Sequence, residues 1–479
     1  MTKKTKIVAT ISDLRGNADF LRELYRSGMN VVRLNSAHQN PEQAARLIDV
    51  VRSVAPDIGI LVDTKGPEVR TSSRGTALQA EVGKPLRVVG DPEGASEGNT
   101  LYVSMVHFAE QVPLGSSLLI DDGDLELVVT AKEGEALVCF PQSAGEIKNR
   151  KSVNVPNVVL DLPAVSQKDK LFLEMAAQKH VDFVAHSFVR TAQDVQEVQA
   201  LLSAAGSKAK IIAKIENQQG VDNIDQILDV TYGVMVARGD LGIEIPEEQV
   251  PEVQRMIVRK CIESKKPVII ATQMLHSMIE NPRPTRAEIS DVASAIYQRA
   301  DAIMLSGETA YGQYPVQAVR TMERIATEIE SHLQPLHTLK MHRVKNVITE
   351  TLSHAAVDAC RAMPIKAIVL DTLSGRTARY IAAYRGRVPI YAMCYREEVM
   401  PQLALTYGVE AYYVKRNSTR DMFLVESIHM LLTQEKVKPM DLILVVGGSF
   451  GPSNGASFME IGEVRNILAV PNPHGNFGE

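Results

Sequence analysis

The sequence predicts an α/β chain: a (β/α)₈ barrel with a small β-barrel domain inserted in one loop and an open α/β domain at the C-terminal end. Three observations carry this. Eight short β-branched, Ala-rich runs recur before residue 310, alternating with amphipathic helical patterns. More than a hundred residues of different character separate the third run from the fourth. A second strand–helix alternation begins after residue 340.

The eight runs are KIVAT (6–10), NVVRL (30–34), IGILVD (58–63), DFVAHSF (182–188), KIIAKI (210–215), GVMVA (233–237), PVIIA (267–271) and DAIML (301–305). Continuous apolar runs of this length suit strands buried on both faces of a parallel sheet. The intervening helices have readable starts. Asn40-Pro41 places a cap and an N1 proline before NPEQAARLIDVVRSV, and Ser166 with Asp169 forms a capping box before SQKDKLFLEMAAQKH. Eight such units make a TIM barrel. Residues 69–154, with Gly and Pro punctuation and short strands such as KPLRVVG, SSLLIDDG and ALVCFP, read as the inserted β domain. The barrel then occupies 1–68 and 155–338. Residues 339–479 read as a doubly wound domain with strands KAIVLDT (366–372), PIYAMC (389–394), EAYYVKR (410–416), DLILVVGG (441–448) and NILAVP (466–471).

Bulk composition excludes several classes. Across 479 residues, hydrophobic content is 45% and charged content 23%, ordinary for a soluble globular protein. A net charge of −5 leaves no basic footprint for nucleic acid or an anionic membrane. No apolar run reaches the length of a membrane span. Cys139, Cys261, Cys360 and Cys394 are scattered, as expected of reduced thiols in a cytoplasmic protein.

Chemistry in such barrels sits at the C-terminal ends of the strands, and that is where charge collects here. Strand two ends in Arg33, Asn35 and His38. Strand three ends in Asp63-Thr64-Lys65, with Glu68 and Arg70 following. Strand five ends in Lys214 and Glu216, strand six in Arg238-Gly239-Asp240, strand seven in Thr272, and strand eight in Ser306 and Glu308. Taken singly, each has a structural explanation as an ion pair or a cap. Taken together, they mark one end of the barrel as a site. Glu216 and Asp240 on adjacent strands are hard oxygen ligands suited to Mg2+ (or Mn2+). Arg33, Lys65, Arg70 and Lys214 exceed what two ligand carboxylates balance, which calls for an anionic substrate such as a phosphate. There is no GxxxxGK[ST] or GxGxxG motif.

The motifs TKIVATI, MNVVRLNSAH, DTKGPEVRT, KNRKSVNVP, AKIENQQGV, VARGDLGIEIP, ATQMLHSMIENPRPTRAE and IMLSGETAYGQYP resemble those of the pyruvate kinase family over nearly the whole chain. The resemblance implies glycolytic phosphoryl transfer from phosphoenolpyruvate to ADP. It implies that Glu216 and Asp240 hold the divalent ion, that Lys214 and Arg33 meet the phosphoryl group, and that the backbone at Gly239 and Asp240 receives the substrate carboxylate. Thr272 falls in the relay that protonates the enolate, with Ser306 and Glu308 as further candidates. His38, Arg70 and Lys151 face ADP, and the inserted domain carrying Asp122 acts as a lid. Asn35, Asp63 and Thr64 match a K+ site. Thr372, Ser374, Gly375, Arg376 and Thr377 match a cradle for a sugar-phosphate or nucleotide effector. The family is commonly homotetrameric.

The text departs from the family at RLNSAHQ. Ala37 replaces a serine that would complete the K+ site, while Glu68 is the residue that K+-dependent members carry. The expectation is a weakened monovalent site. GGSFGPSNGASF differs from the usual effector-loop text, so the effector stays open. Two other readings share parts of this pattern: a magnesium-dependent, enolate-forming barrel lyase or aldolase acting on pyruvate, and a non-catalytic sugar-phosphate sensor.

Overall fold

The computed structural model describes residues 3–72, 77–96, 98–333, 339, 341–415, 420–448 and 455–468. Eight parallel strands close a barrel: Lys6–Thr10, Val31–Asn35, Gly59–Asp63, Phe183–His186, Lys210–Ile215, Gly233–Ala237, Val268–Ala271 and Ala302–Leu305. Every one lies on a run expected from sequence. The two helices expected from capping signals form as Pro41–Val54 and Gln167–Gln178, and each carries a reciprocal capping box, Asn40 with Gln43 and Ser166 with Asp169.

Side-chain alternation sorts the barrel residues into two cores. Val8, Val31, Leu61, Phe183, Ala185, Ile212, Met235, Ile269 and Ala271 pack inside the barrel. Ile7, Val32, Val62, Val184 and Ala213 face the helices. Leu405, from the C-terminal part of the chain, joins the inner core, with Ala404 packed against it. A Cβ on Gly59, at the start of the third strand, would fall 3.2 Å from that of Ala404. The base of the barrel is therefore sealed by a segment from outside it, and only the opposite end is open for chemistry.

Between the third and fourth barrel strands lies a six-stranded sheet in the order Val153–Asn154, Ser117–Ile120, Leu125–Glu133, Ala136–Pro141, Leu86–Gly90, Thr100–Val103. Leu78–Ala80 pairs separately with Gly145–Ile147. These strands bury their own core around Phe108, Val88, Leu127 and Cys139. The two chain segments that enter and leave it are tied together: Arg70 pairs with Ser152 in an antiparallel bridge, and Val153 N–H donates to the Val69 carbonyl at 2.9 Å.

The C-terminal sheet has the order Val409–Tyr413, Ile390–Cys394, Ala367–Thr372, Leu442–Gly447, Phe458–Glu463. Four strands lie where expected. The fifth does not: 466–471 was expected as a strand, but Val464–Leu468 is a helix, and residues beyond 468 fall outside the described ones. The edge position is taken by Phe458–Glu463, which runs antiparallel to Leu442–Gly447. Its side chains alternate between the two faces, Phe458 to one core and Met459 and Ile461 to the other. Gly462 and two glutamates break up its apolar content, whereas Ile467 and Leu468 concentrate theirs and so imitate a strand. Among the described residues no helix is long and apolar enough to cross a membrane.

Candidate active site

The inner parity of the barrel runs upward into charge. On the fifth strand Ile212 is an inner-core residue, so Lys214 and Glu216 continue on the same side. Leu61 leads to Asp63, Val31 to Arg33, Val8 to Thr10 and Ala185 to Ser187 in the same way. These residues meet as one buried layer. Arg33 Nε donates to Asp63 Oδ2 at 2.6 Å, and Arg33 Nη1 donates to Thr10 Oγ1 at 3.0 Å. Its Nη2 has no hydrogen-bond partner among the described residues. Lys214 Nζ donates to Ser187 Oγ at 2.7 Å and stands 3.1 Å from Asp63 Oδ1 and 3.0 Å from Glu216 Oε1.

This layer sets its own protonation. Burial alone would raise the Asp63 carboxyl, but Arg33 and Lys214 outweigh it and hold Asp63 below the ordinary carboxylate range. Burial likewise opposes charge on Lys214, but Asp63, Glu216 and Asp240 together keep it firmly ammonium. Burial pushes the Glu216 carboxyl up; Lys214 pulls it down and Asp240 pushes it up again. Glu216 Oε2 accepts from Phe188 N–H at 2.6 Å. Oε1, fully buried, makes no hydrogen bond despite the nearby ammonium. An orphaned carboxylate oxygen beside a second carboxylate is a donor set that a hard divalent cation fits. Among the described residues no group of three or more His, Cys, Asp and Glu side chains is arranged to hold a metal, so any such ion draws its remaining ligands from substrate or water.

Phe188 reaches Glu216 because its backbone is left-handed, φ 55°. Gly66, at φ 74°, packs against that turn: a Cβ there would lie 2.8 Å from Ser187 Cβ and from the Phe188 ring. The DTKGPE segment must therefore have glycine at this position. Asp169 fixes the same segment from behind by accepting from Lys65 N–H at 2.8 Å.

On the far side of the mouth, Thr272 and Gln273 have φ 68° and 55°. Left-handed backbone is a true outlier for a β-branched residue and commonly marks a functional turn. Arg238 clamps the turn: Nη2 donates to the Thr272 carbonyl at 2.6 Å, and Nη1 donates to Asp291 at 2.6 Å. Thr272 Oγ1 accepts from Gly239 N–H at 2.9 Å and donates to the Ala271 carbonyl at 2.7 Å. Glu308 is buried beneath, accepting from Leu275 N–H at 3.1 Å and Ser306 N–H at 2.8 Å. Both its oxygens brace backbone.

A cavity of about 470 Å³ opens above this layer, lined by Glu68, Arg70, Asp122, Phe188, Asn217 and Asp240 among others. Phe188 and Asn217 directly follow Ser187 and Glu216 in the chain, so the cavity floor is one residue above the charged layer. Arg70 is held by Glu68 at 2.6 Å and donates to the Arg150 carbonyl at 2.6 Å. Lys151 Nζ lies 2.7 Å from Asp121, and Asp122 N–H donates to Ser152 Oγ at 2.9 Å. His38 is exposed beyond the second strand and is not among the cavity residues. Asn35 Oδ1 accepts from Ala37 N–H at 3.1 Å, and Thr64 Oγ1 accepts from Ser187 N–H at 3.1 Å.

The family model for the pyruvate kinase barrel domain matches residues 2–319, and that for its alpha/beta domain matches residues 350–461. The chain belongs to the pyruvate kinase family. Pyruvate kinase of Borreliella burgdorferi is 46% identical over 477 residues, spanning 98% of this chain and 100% of that protein. The enzymes of Bacillus licheniformis and Geobacillus stearothermophilus are each 41% identical over 98% of this chain, covering 81% and 82% of theirs. As a member of a phosphotransferase family, the chain is neither a lyase nor a bare sensor.

The expected effector residues lie elsewhere, at the start of the helix Arg376–Ala383. Gly375 is left-handed, φ 72°, and its N–H donates to Thr372 Oγ1 at 2.9 Å. Thr372 and Thr377 are buried. Residues 449–454 of the glycine-rich segment lie outside the described ones. Thr10, Ser187 and Asp291 escaped the sequence reading. Thr10 and Ser187 were open to the parity argument that picked out Lys214. Asp169 was read only as a cap, and the grip of Arg238 on the Thr272 turn through Asp291 has no local signature.

Proposed function

We propose that the chain transfers the phosphoryl group of phosphoenolpyruvate to ADP at the open end of the barrel. The observation that carries this reading is the Lys214 ammonium, kept charged in a buried layer between Asp63 and Glu216. Glu216 and Asp240 would hold Mg2+ (or Mn2+), which when bound supplies a positive charge for phosphoryl and enolate oxygens. Lys214 and the unpartnered Nη2 of Arg33 bind the phosphoryl oxygens as charge redistributes. A fixed ammonium does this without reorganisation, and its effect is largest where water is excluded. Gly239 and Asp240, at a helix start, orient the substrate carboxylate, the Gly239 N–H turning from Thr272 Oγ1 to the carboxylate when substrate binds. The Thr272 hydroxyl, whose proton rests on the Ala271 carbonyl, is the relay toward the methylene carbon. Ser306 and Glu308 support that turn.

His38, Arg70 and Lys151 receive ADP, and residues 69–154 move as a lid that excludes water. A K+ ion at Asn35, Asp63 and Thr64 finds only oxygens, but each already accepts a hydrogen bond and Ala37 adds none, so it is held weakly. Thr372, Ser374, Gly375, Arg376 and Thr377 form an anion cradle for a sugar-phosphate or nucleotide effector. The working form is a cytoplasmic homotetramer.

Lys214→Met tests the central role. ATP formation from phosphoenolpyruvate and ADP is expected to fall by roughly a thousandfold, the scale of removing one preorganised charge donor. Mn2+ binding, followed by electron paramagnetic resonance, is expected to persist. Transfer that survives while Mn2+ binding is lost would reverse the assignment.

A further inference from the structure

A proton relay at Thr272 needs a hydroxyl that is held in one place and then released. The ladder between the sixth and seventh barrel strands ends at Ala237 and Ala271. Beyond that point Thr272 and Gln273 both keep left-handed backbone, φ 68° and 55°. A β-branched residue stays there only where its surroundings over-determine it. Arg238 constrains the turn from the neighbouring strand end. Its Nη2 donates to the Thr272 carbonyl at 2.6 Å and reaches Met274 Sδ at 3.0 Å, and its Nε donates to the Ala271 carbonyl at 3.3 Å. One planar fork therefore takes the carbonyls on both sides of the residue that carries the hydroxyl.

The fork is itself aimed. Nη1 donates to Asp291 Oδ1 at 2.6 Å, and Asp291 lies on the helix Arg286–Tyr297. The same helix grips the far end of the turn, where Glu288 accepts from Ser277 N–H at 2.7 Å and from Ser277 Oγ at 2.5 Å. The Arg238 side chain is only 12% exposed, and each of its three nitrogens already has a protein acceptor. It can act on substrate only through the half-buried threonine.

Two bonds hold the hydroxyl. Oγ1 accepts from Gly239 N–H at 2.9 Å and donates to the Ala271 carbonyl at 2.7 Å. Once Gly239 N–H turns to the substrate carboxylate, the Ala271 carbonyl alone retains the proton. That carbonyl is shared with Arg238 Nε. A charge-assisted donor draws on its electron density ahead of a neutral hydroxyl, so the proton is held less firmly.

We propose, on the reading of Thr272 as the relay, that Arg238 is a positioning residue for the second half of the reaction: it fixes the Thr272 turn and loosens the hydroxyl from the Ala271 carbonyl, so that with substrate bound the proton passes to the methylene carbon. In that step the double-bond pair of the enolate takes the proton from Thr272 Oγ1 and forms the new C–H bond. The enolate oxygen becomes the ketone carbonyl, and Oγ1 takes a replacement proton from water. Lys214 and Arg33 meet the phosphoryl group from other strands, so phosphoryl transfer depends on this turn much less.

Two assays on the full chain separate the halves. Exchange of pyruvate methyl protons with heavy water, followed by proton NMR with Mg2+ and ATP present, reports the relay. ATP formed from phosphoenolpyruvate and ADP in a single turnover, caught by rapid quench, reports phosphoryl transfer. Arg238→Met is expected to slow exchange about a hundredfold, the scale of a misplacement of about 1 Å, and single-turnover ATP formation by less than about tenfold. Arg238→Lys keeps a cation against Asp291 but has no fork to span the two carbonyls. It is expected to melt close to the wild type and to exchange as slowly as Arg238→Met. Parallel losses in the two assays overturn the proposal, because a merely structural residue lowers both. So does exchange restored in Arg238→Lys, which would leave charge alone to explain the effect. A wild type that forms no ATP, or a Thr272→Val variant with full exchange, brings down the underlying reading of the site and this proposal with it.

Discussion

The two ends of the barrel each carry a buried arginine–aspartate pair, and they differ in what is left over. At the base, Arg385 spends both Nη groups on Asp301, whose oxygens also take Tyr407 and Val268 backbone N–H groups. At the mouth, Arg33 spends only Nε on Asp63, which shares its other oxygen with Lys214 and leaves Arg33 Nη2 unspent. The base pair is closed and holds two domains together. The mouth pair is open toward a ligand. The same contrast appears in the lysines. Carboxylates around Lys214 outweigh its burial and raise its pKa, whereas burial and neighbouring cations lower that of Lys266. Residue type alone does not distinguish structure from chemistry; unspent donors and the sign of the surrounding charge do.

The sharpest way to break the contrast is Asp301→Ala. Removing one partner of a buried pair leaves an uncompensated charge and costs about 3–5 kcal/mol. Urea unfolding of the full chain is expected to register a loss on that scale, while the folded fraction keeps its kcat for phosphoryl transfer. A variant with normal stability and depressed kcat would place Asp301 in the chemistry and erase the distinction between the two ends.

Arg33→Met is the counterpart at the mouth. Phosphoryl transfer is expected to fall by about 10²–10³, as for other preorganised donors. Stability is expected to suffer less than in the Asp301 variant, because Asp63 keeps Lys214 at 3.1 Å. Steady-state kinetics and urea unfolding on the same preparation separate the two effects. A stability loss as large as that of Asp301→Ala, with little change in rate, would make the mouth pair structural too.

The mouth was far more legible in the sequence than the base. Strands of barrel type announce themselves by β-branched runs, and parity along KIIAKIE carries Lys214 and Glu216 to the inner face without knowledge of any other strand. Where each charge sits follows from one local periodicity. The base depends on pairings across long separations: Arg385 and Asp301 stand 84 residues apart, and nothing local to either names the other. Arg238 and Asp291 are 53 apart and equally silent. The misread at 466–471 has a related cause. Ile467 and Leu468 supply apolar bulk to a core contact in either conformation, and the edge of the sheet was already claimed by Phe458–Glu463, whose pairing with Leu442–Gly447 is a tertiary fact.

The smallest expected effect concerns the lysines. Lys266 titrates at about 8 in the fold against an ordinary 10.5. Below pH 8 both folded and unfolded chains hold the proton, so its penalty is constant. Between about 8 and 10.5 the unfolded chain keeps a proton that the folded chain has released, and stability rises with pH across that window. Lys6, also at the base and also near 8, adds a slope of the same sign. The informative quantity is therefore the difference between the wild type and Lys266→Met, followed by urea unfolding. The wild type is expected to gain on the variant as pH climbs through this range. A gap that stays flat, or narrows, would mean that Lys266 is as well neutralised as Lys214, and the opposition between the two ends of the barrel would then rest on the arginine pairs alone.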